Sequence, residues 1–343
     1  MFRNTLLLFL LIASLKVNAA DIPGQQPNAA IDTRGIVRIA YGSGEKIFCI
    51  TSADNGSNFS KPVLVGEVKG MHLGHTRGPQ IASSKGYSLI TTMDKSGNIH
   101  SYKLNHAGKS WSKTGNTNDK VGSAPEGLMA ITADKEDNFY AVWLDLGTGK
   151  KNNIHFSSLN GKAASWSKNL MVYKSPDEHV CECCRPNISY RNNKLVIGFR
   201  NWLIGSRDIY YTVSADKGKT FSNAKKSGTG TWRLNACPMD GGGLSINEKG
   251  ITSTAWRRNS DVIYWSENQL EQRLGTGKDV SMIESKGRTL VAWQENNHIK
   301  VMDLSKKSVA EIGSGISPRV YLTNSGKALC VWEENKVVRY KVI

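Results

Sequence analysis

One unit recurs along almost the whole chain, and it limits the fold more than any other feature. A short apolar strand meets a turn residue, and the strand that follows carries an aromatic six positions after that turn. The clearest copies run Gly250 to Trp256, Gly287 to Trp293 and Gly326 to Trp332, and Gly35 to Tyr41, Asp137 to Trp143 and Asn193 to Phe199 keep the same spacing. Gly86 to Thr92 is a copy without the aromatic. Period-2 alternation dominates each unit, as in Asp208-Ile209-Tyr210-Tyr211-Thr212-Val213, and no amphipathic helix is evident. Units of roughly 40 to 55 residues with four strands each are propeller blades. The repeat predicts an all-β chain folded as a single β-propeller of seven four-stranded blades, with six as the alternative. The last unit ends at Ile343 one strand short, so residues Asp21 to Ala30 are expected to supply the outer strand that closes the ring.

Residues 1–20 stand outside this pattern. Arg3, the apolar run Leu6 to Leu15 and the small-residue site Val17-Asn18-Ala19-Ala20 have the form of a secretory signal peptide. The division expected is 1–20 signal peptide and 21–343 propeller, exported to the periplasm or the outside. No later stretch reaches the ~18 apolar residues that a membrane-spanning helix needs. The chain carries 45 Lys plus Arg against 29 Asp plus Glu, a net charge of +16. That excess favours an anionic glycan or a small anionic ligand. Export and the absence of a zinc-finger, RRM or helix-turn-helix pattern argue against nucleic acid. A monomer is expected.

Two turns carry a family resemblance. Ser52-Ala53-Asp54-Asn55-Gly56-Ser57-Asn58-Phe59 and Ser214-Ala215-Asp216-Lys217-Gly218-Lys219-Thr220-Phe221 both read S-x-D-x-G-x-x-F. The Asp can accept bonds from turn amides, the Gly supplies a positive φ, and the aromatic packs back under the hairpin. Asn105 to Trp111 and Ser158 to Trp166 are degraded copies. These turns resemble the Asp boxes (BNR repeats) of the sialidase superfamily. The resemblance implies a sialidase-like propeller over the mature chain and, if the protein is an enzyme, a glycoside hydrolase of exo-sialidase type. Such enzymes use three arginines to hold the substrate carboxylate, a Tyr activated by a Glu, and an Asp as acid or base. The family's Arg-Ile-Pro motif is missing, because Arg38-Ile39 is followed by Ala40.

In a propeller, the loops leading into each innermost strand and those leaving each second strand share one face. The repeat register therefore brings together Arg77, Arg185 and Arg319 as carboxylate ligands, with Arg200, Arg257, Glu126 and Asp240 as further substrate-binding residues. Asp94 or Asp145 is the candidate acid and Tyr321 the candidate nucleophile. Glu295 and Glu333 leave second strands on the same face. The landmark tryptophans repeat at one strand position and read as core, whereas Trp202 and Trp232 break register and are the better ligand platforms.

The cysteines permit two readings. Cys181, Cys183, Cys184 and Cys237 come from the loops leading into two adjacent blades. At least one of the first three should approach Cys237, either as a disulfide or around a soft metal such as copper. The metal set would be Cys183, Cys184, Cys237 and Met239, with His72 and His75 as imidazole ligands. Cys49 and Cys330 fall in the first and last blades, where a bridge across the seam and two buried thiols are both open. Beyond hydrolysis and metal binding, a non-catalytic protein-interaction propeller is the third function class.

Overall fold

The computed structural model describes residues 21–343, so the signal-peptide expectation lies outside the described residues. It contains 28 strands in seven four-stranded antiparallel sheets, with no helix among the described residues. Inner strands of neighbouring sheets touch all the way round, including first against last, so the sheets form a closed ring of seven blades. All seven landmark positions sit in the second strand of their blades: Tyr41, Thr92, Trp143, Phe199, Trp256, Trp293 and Trp332. The reason is steric. A large ring at that position fills the wedge between radiating sheets; Trp143 is fully buried, and Trp332 donates its indole N–H to the Ser314 carbonyl of the preceding blade at 2.8 Å.

The ring closes from the N-terminal side as expected, but of residues Asp21 to Ala30 only Ile22–Pro23 supply the outer strand. Ile22–Pro23 pairs with Val337–Val342 as the outer strand of blade 7, and Gln25–Ile31 then begins blade 1 as its inner strand. Glu333, in the second strand of blade 7, locks the junction. Its carboxylate accepts the Gln26 backbone N–H and the Gln26 side-chain amide, each at 3.0 Å. Residues from both ends of the described segment thus complete one sheet, and the first and last blades meet without a gap in the ring.

The S-x-D-x-G-x-x-F turns connect third and fourth strands, on the face opposite the loops that lead into the blades. Both copies have the same bonds. Asp54 accepts from Ser52 Oγ (2.6 Å) and the Asn58 amide N–H (2.9 Å), and Asp216 accepts from Ser214 Oγ (2.7 Å) and the Thr220 N–H (2.9 Å). Gly56 and Gly218 each hold φ at 88°, a conformation a side chain resists. Phe59 packs edge-on against Tyr340 of blade 7, and Phe221 against Phe156 of blade 3. Each turn thus pins its blade to the one before it.

These hydrogen bonds, from Ser52 first, lower Asp54 to about 2. A carboxyl whose folded pKa is depressed stabilises fully above its unfolded pKa of about 3.9 and loses that contribution as pH falls. Asp54→Ala should therefore melt below the wild type at pH 6, with the two thermal midpoints converging as pH falls towards 2. A gap that stays constant over that range would show the carboxylate is not what holds the turn.

Candidate functional site

The central channel is a cavity of about 410 Å³ lined by the inner strands of all seven blades. Three arginines line it; Arg191 is paired with Glu248 at 2.6 Å, which leaves Arg185 and Arg319. Arg185 leads into the inner strand of blade 4 (Asn187–Arg191), and Arg319 lies in that of blade 7 (Ile316–Leu322), with Tyr321 two residues on along the same strand. Arg185 is 9% exposed and Arg319 7%. Arg185 reaches across to blade 2, where its Nη1 donates to Gln80 Oε1 at 3.0 Å. Among the described residues, the Arg319 guanidinium makes no hydrogen bond, and neither arginine has a carboxylate within 4.0 Å. Burial, and for Arg185 the neighbouring Arg319 charge, hold both below the ordinary guanidinium range. Tyr321 is half-buried, its hydroxyl oxygen accepting the Ala29 N–H at 3.0 Å, and desolvation raises its pKa.

Backbone irregularities at the mouth aim these groups. The inner strands of blades 1, 6 and 7 each slip register at their first residues, with positive φ at Gln26 (53°), Asp279 (57°) and Ser317 (54°). A bulge re-aims the side chains around it. In blade 6 this buries Asp279 to 3% exposure, with His75 Nε2 3.0 Å from its Oδ1. The same ring nitrogen is 3.1 Å from the Met239 carbonyl, and the Asp279 contact raises the His75 pKa. Asp240 accepts the backbone N–H of Gly242 (3.1 Å) and of Asp279 (2.9 Å), and burial followed by the Asp279 charge raises its pKa. Gly241 must lack a side chain, because a Cβ there would overlap the Arg185 carbonyl.

Several residues expected to meet a ligand are engaged by the scaffold instead. Arg77 donates Nε to the Glu126 carbonyl (2.6 Å) and has Nη2 3.6 Å from the Glu126 carboxylate, so two unpaired arginines remain in the channel where three were expected. Arg200 is 1% exposed and donates to the carbonyls of Asp240, Arg207 and Arg257. Arg200 and Arg257 both lie over the Trp232 ring, which is itself buried and is no platform for a ligand. Trp202 has His179 stacked on it and Arg207 4.5 Å from its centroid. Asp240 is held by two amides, and Glu333 by the closure. Glu295 lines a separate groove of blades 5 and 6 with Arg257.

The proposed acids are not brought to Tyr321. Asp145 accepts from Trp143 Nε1 (2.5 Å), Ser123 Oγ (2.7 Å) and the Gly147 N–H (2.6 Å), and borders a separate groove of about 670 Å³ rimmed by Lys120, Lys150, Lys151 and Lys174. Asp94 is bound to Asn98 and to His100 Nε2 at 2.7 Å.

Cys183 is bonded to Cys237 with their Cα atoms 6.2 Å apart, so the loops of blades 4 and 5 share one site as expected. The bond removes two of the six donors expected for a soft metal. His72 takes the Pro125 carbonyl at 2.8 Å, and burial lowers its pKa. Cys181 and Cys184 remain thiols with sulfurs 3.2 Å apart, and Arg207 Nη1 lies 2.9 Å from Cys181 Sγ. The hydrogen bond with Cys184, aided by Arg200 and Arg207, lowers the Cys181 thiol, whereas burial raises Cys184. Cys49 and Cys330 are unbridged and buried, each pushed up to about 12.

Asp279, Gln80 and Arg207 were missed in the sequence. The count back from Trp332 that reaches Ser317 lands beside Asp279 when made from Trp293, so one signal was available.

No known protein family matches the chain, and no curated protein does. Solved structures do match. An ulvan lyase of polysaccharide lyase family PL25, solved bound to -[GlcA(1-4)Rha3S]-, aligns with a TM-score of 0.56 at 10% identity over 94% of each chain. YCF48 bound to a D1 peptide aligns at 0.55, with 10% identity over 94% of each chain. The SapL1 lectin in complex with alpha methyl fucoside aligns at 0.52 and 11% identity over 86% of this chain and 97% of that one. What is shared is the fold.

Proposed function

We propose that this is an exported propeller of the sialidase-like kind that binds an anionic glycan at the channel mouth, with Arg185 and Arg319 holding the carboxylate or sulfate. One observation carries the reading: two buried guanidinium groups face a cavity of about 410 Å³ with no carboxylate within 4.0 Å. Buried charge without a partner is costly, so a site of this kind is completed by a ligand of opposite sign. Guanidinium groups suit a carboxylate or sulfate because their planar donors can take two oxygens at once. The net charge of +16 would draw such a ligand in. A lyase solved with a uronate-containing saccharide and a lectin solved with a fucoside, on the same fold, support a carbohydrate. The two S-x-D-x-G-x-x-F turns support the sialidase superfamily.

Calorimetric titration of the purified chain with uronate-, sialate- and sulfate-bearing oligosaccharides, beside their neutral counterparts, tests this. Anionic members should bind, neutral ones should not, and affinity should fall with added salt. Failure of every anionic saccharide to bind would sink the proposal. Hydrolysis is a second reading, favoured by Tyr321 beside the two arginines. Its check is release of free sialic acid from sialosides, and no release from any linkage rejects it.

A further inference from the structure

The sulfurs at the rim of blades 4 and 5 form an unbroken chain from solvent to interior. Cys237 is exposed and its partner Cys183 half-buried, while Cys181 and Cys184 behind them are 0% and 2% exposed. Cys181 Sγ stands 3.7 Å from Cys183 Sγ and 3.2 Å from Cys184 Sγ, and Cys183 is 4.0 Å from Cys184. The Arg207 guanidinium, 2.9 Å from Cys181 Sγ, favours a thiolate at that sulfur. A dithiol therefore lies in side-chain reach of a disulfide whose far end is open to solvent. The glycan reading uses none of these sulfurs. Cys49 and Cys330, buried in blades 1 and 7, have no such neighbours.

We propose that Cys181, Cys183, Cys184 and Cys237 form a thiol–disulfide exchange centre that reduces a substrate disulfide at the rim, with Cys181 and Cys184 as its electron store. The Cys181 thiolate attacks Cys183. The Cys181–Cys183 bond forms, the Cys183–Cys237 bond breaks, and Cys237 leaves as a thiolate. Cys184 then releases its proton and attacks Cys181, forming Cys181–Cys184 and returning Cys183 as a thiolate. No electron has left the chain, and the reducing pair is now Cys183 and Cys237, at the surface. Cys237 attacks one sulfur of the substrate disulfide, giving a mixed disulfide and one substrate thiolate. Cys183 resolves it, re-forming Cys183–Cys237 and releasing the second thiolate. The substrate gains two electrons, and Cys181 and Cys184 lose two in becoming a disulfide.

The test is titration of the native, unreduced full chain with 5,5′-dithiobis(2-nitrobenzoate), followed by peptide mass mapping. The wild type should release two thionitrobenzoate anions per chain, keep no adduct, and end with Cys181–Cys184 and Cys183–Cys237 both bonded. Cys184→Ser should release one and retain a mixed disulfide on Cys237, because the second internal step is blocked. Cys181→Ser should release none. Near-UV circular dichroism checks that both variants fold. The proposal is overturned if the native wild type releases none while its denatured form still titrates Cys181 and Cys184, or if Cys181→Ser releases as much as the wild type. Oxidised glutathione set against a disulfide-bonded unfolded protein then identifies the substrate as small or macromolecular, and failure to reduce either rejects it. Saccharide binding is measured separately, so the two proposals can fail independently.

Discussion

Arg319→Met should abolish most anionic-saccharide binding while leaving the fold as stable as before, or more so. A hydrogen bond to a charged group is worth about 1.5–3 kcal/mol, so loss of the guanidinium should weaken affinity by roughly 10- to 150-fold. Stability moves the other way. Arg319 is 7% exposed and its guanidinium makes no hydrogen bond or ion pair among the described residues, and an unpaired buried charge replaced by an apolar chain of similar length is neutral or stabilising. Arg185→Met should lose binding similarly, but it strands Gln80 Oε1 and gains less stability. Titration calorimetry and urea unfolding on the same samples read both quantities. A large loss of stability with binding intact would make Arg319 a scaffold residue and remove the proposed clamp.

Trp143→Ala should be the most damaging single change to the fold. The indole is fully buried in the cluster between blades 2 and 3, among Leu89, Met93, Phe139 and Trp166. It also donates to Asp145 at 2.5 Å. Truncating a buried Trp costs about 3–5 kcal/mol, and here the loss of a donor to a buried carboxylate adds to the cavity. The half-exposed Trp111, at the edge of blade 2, should cost much less on the same substitution. A urea midpoint for Trp143→Ala within error of the wild type would refute the view that landmark aromatics wedge the blades apart.

The architecture was legible because each blade repeats a local pattern. A turn residue and an aromatic six positions later sit on one hairpin, so their spacing survives translation into structure at Trp256, Trp293 and Trp332. The closing strand was legible from arithmetic alone, since a seventh unit ending at Ile343 needs its outer strand from residues near Asp21. The mouth was legible only as a set of loops. Register placed Arg77, Arg185 and Arg319 in equivalent loops, but not which would find a carboxylate; Arg77 meets Glu126, whereas Arg185 and Arg319 meet none within 4.0 Å. Trp232 broke register as a ligand platform would, yet it lies buried beneath Arg200 and Arg257.

By itself, then, the sequence determined seven hairpin repeats, their closure, the Asp-centred turns and the meeting of the Cys181–Cys184 segment with Cys237. These depend on period-2 burial and on which loops are neighbours, both set by chain order. Only the tertiary structure decided which charges stay unpaired in the channel, that Cys183 rather than Cys181 or Cys184 bonds Cys237, and that Asp279 joins the mouth. Those outcomes turn on distances of a few ångströms between different blades, set by the bulges at Gln26, Asp279 and Ser317 and by the packing of Gly241 against Arg185. No periodicity along a single chain encodes a gap between two sheets.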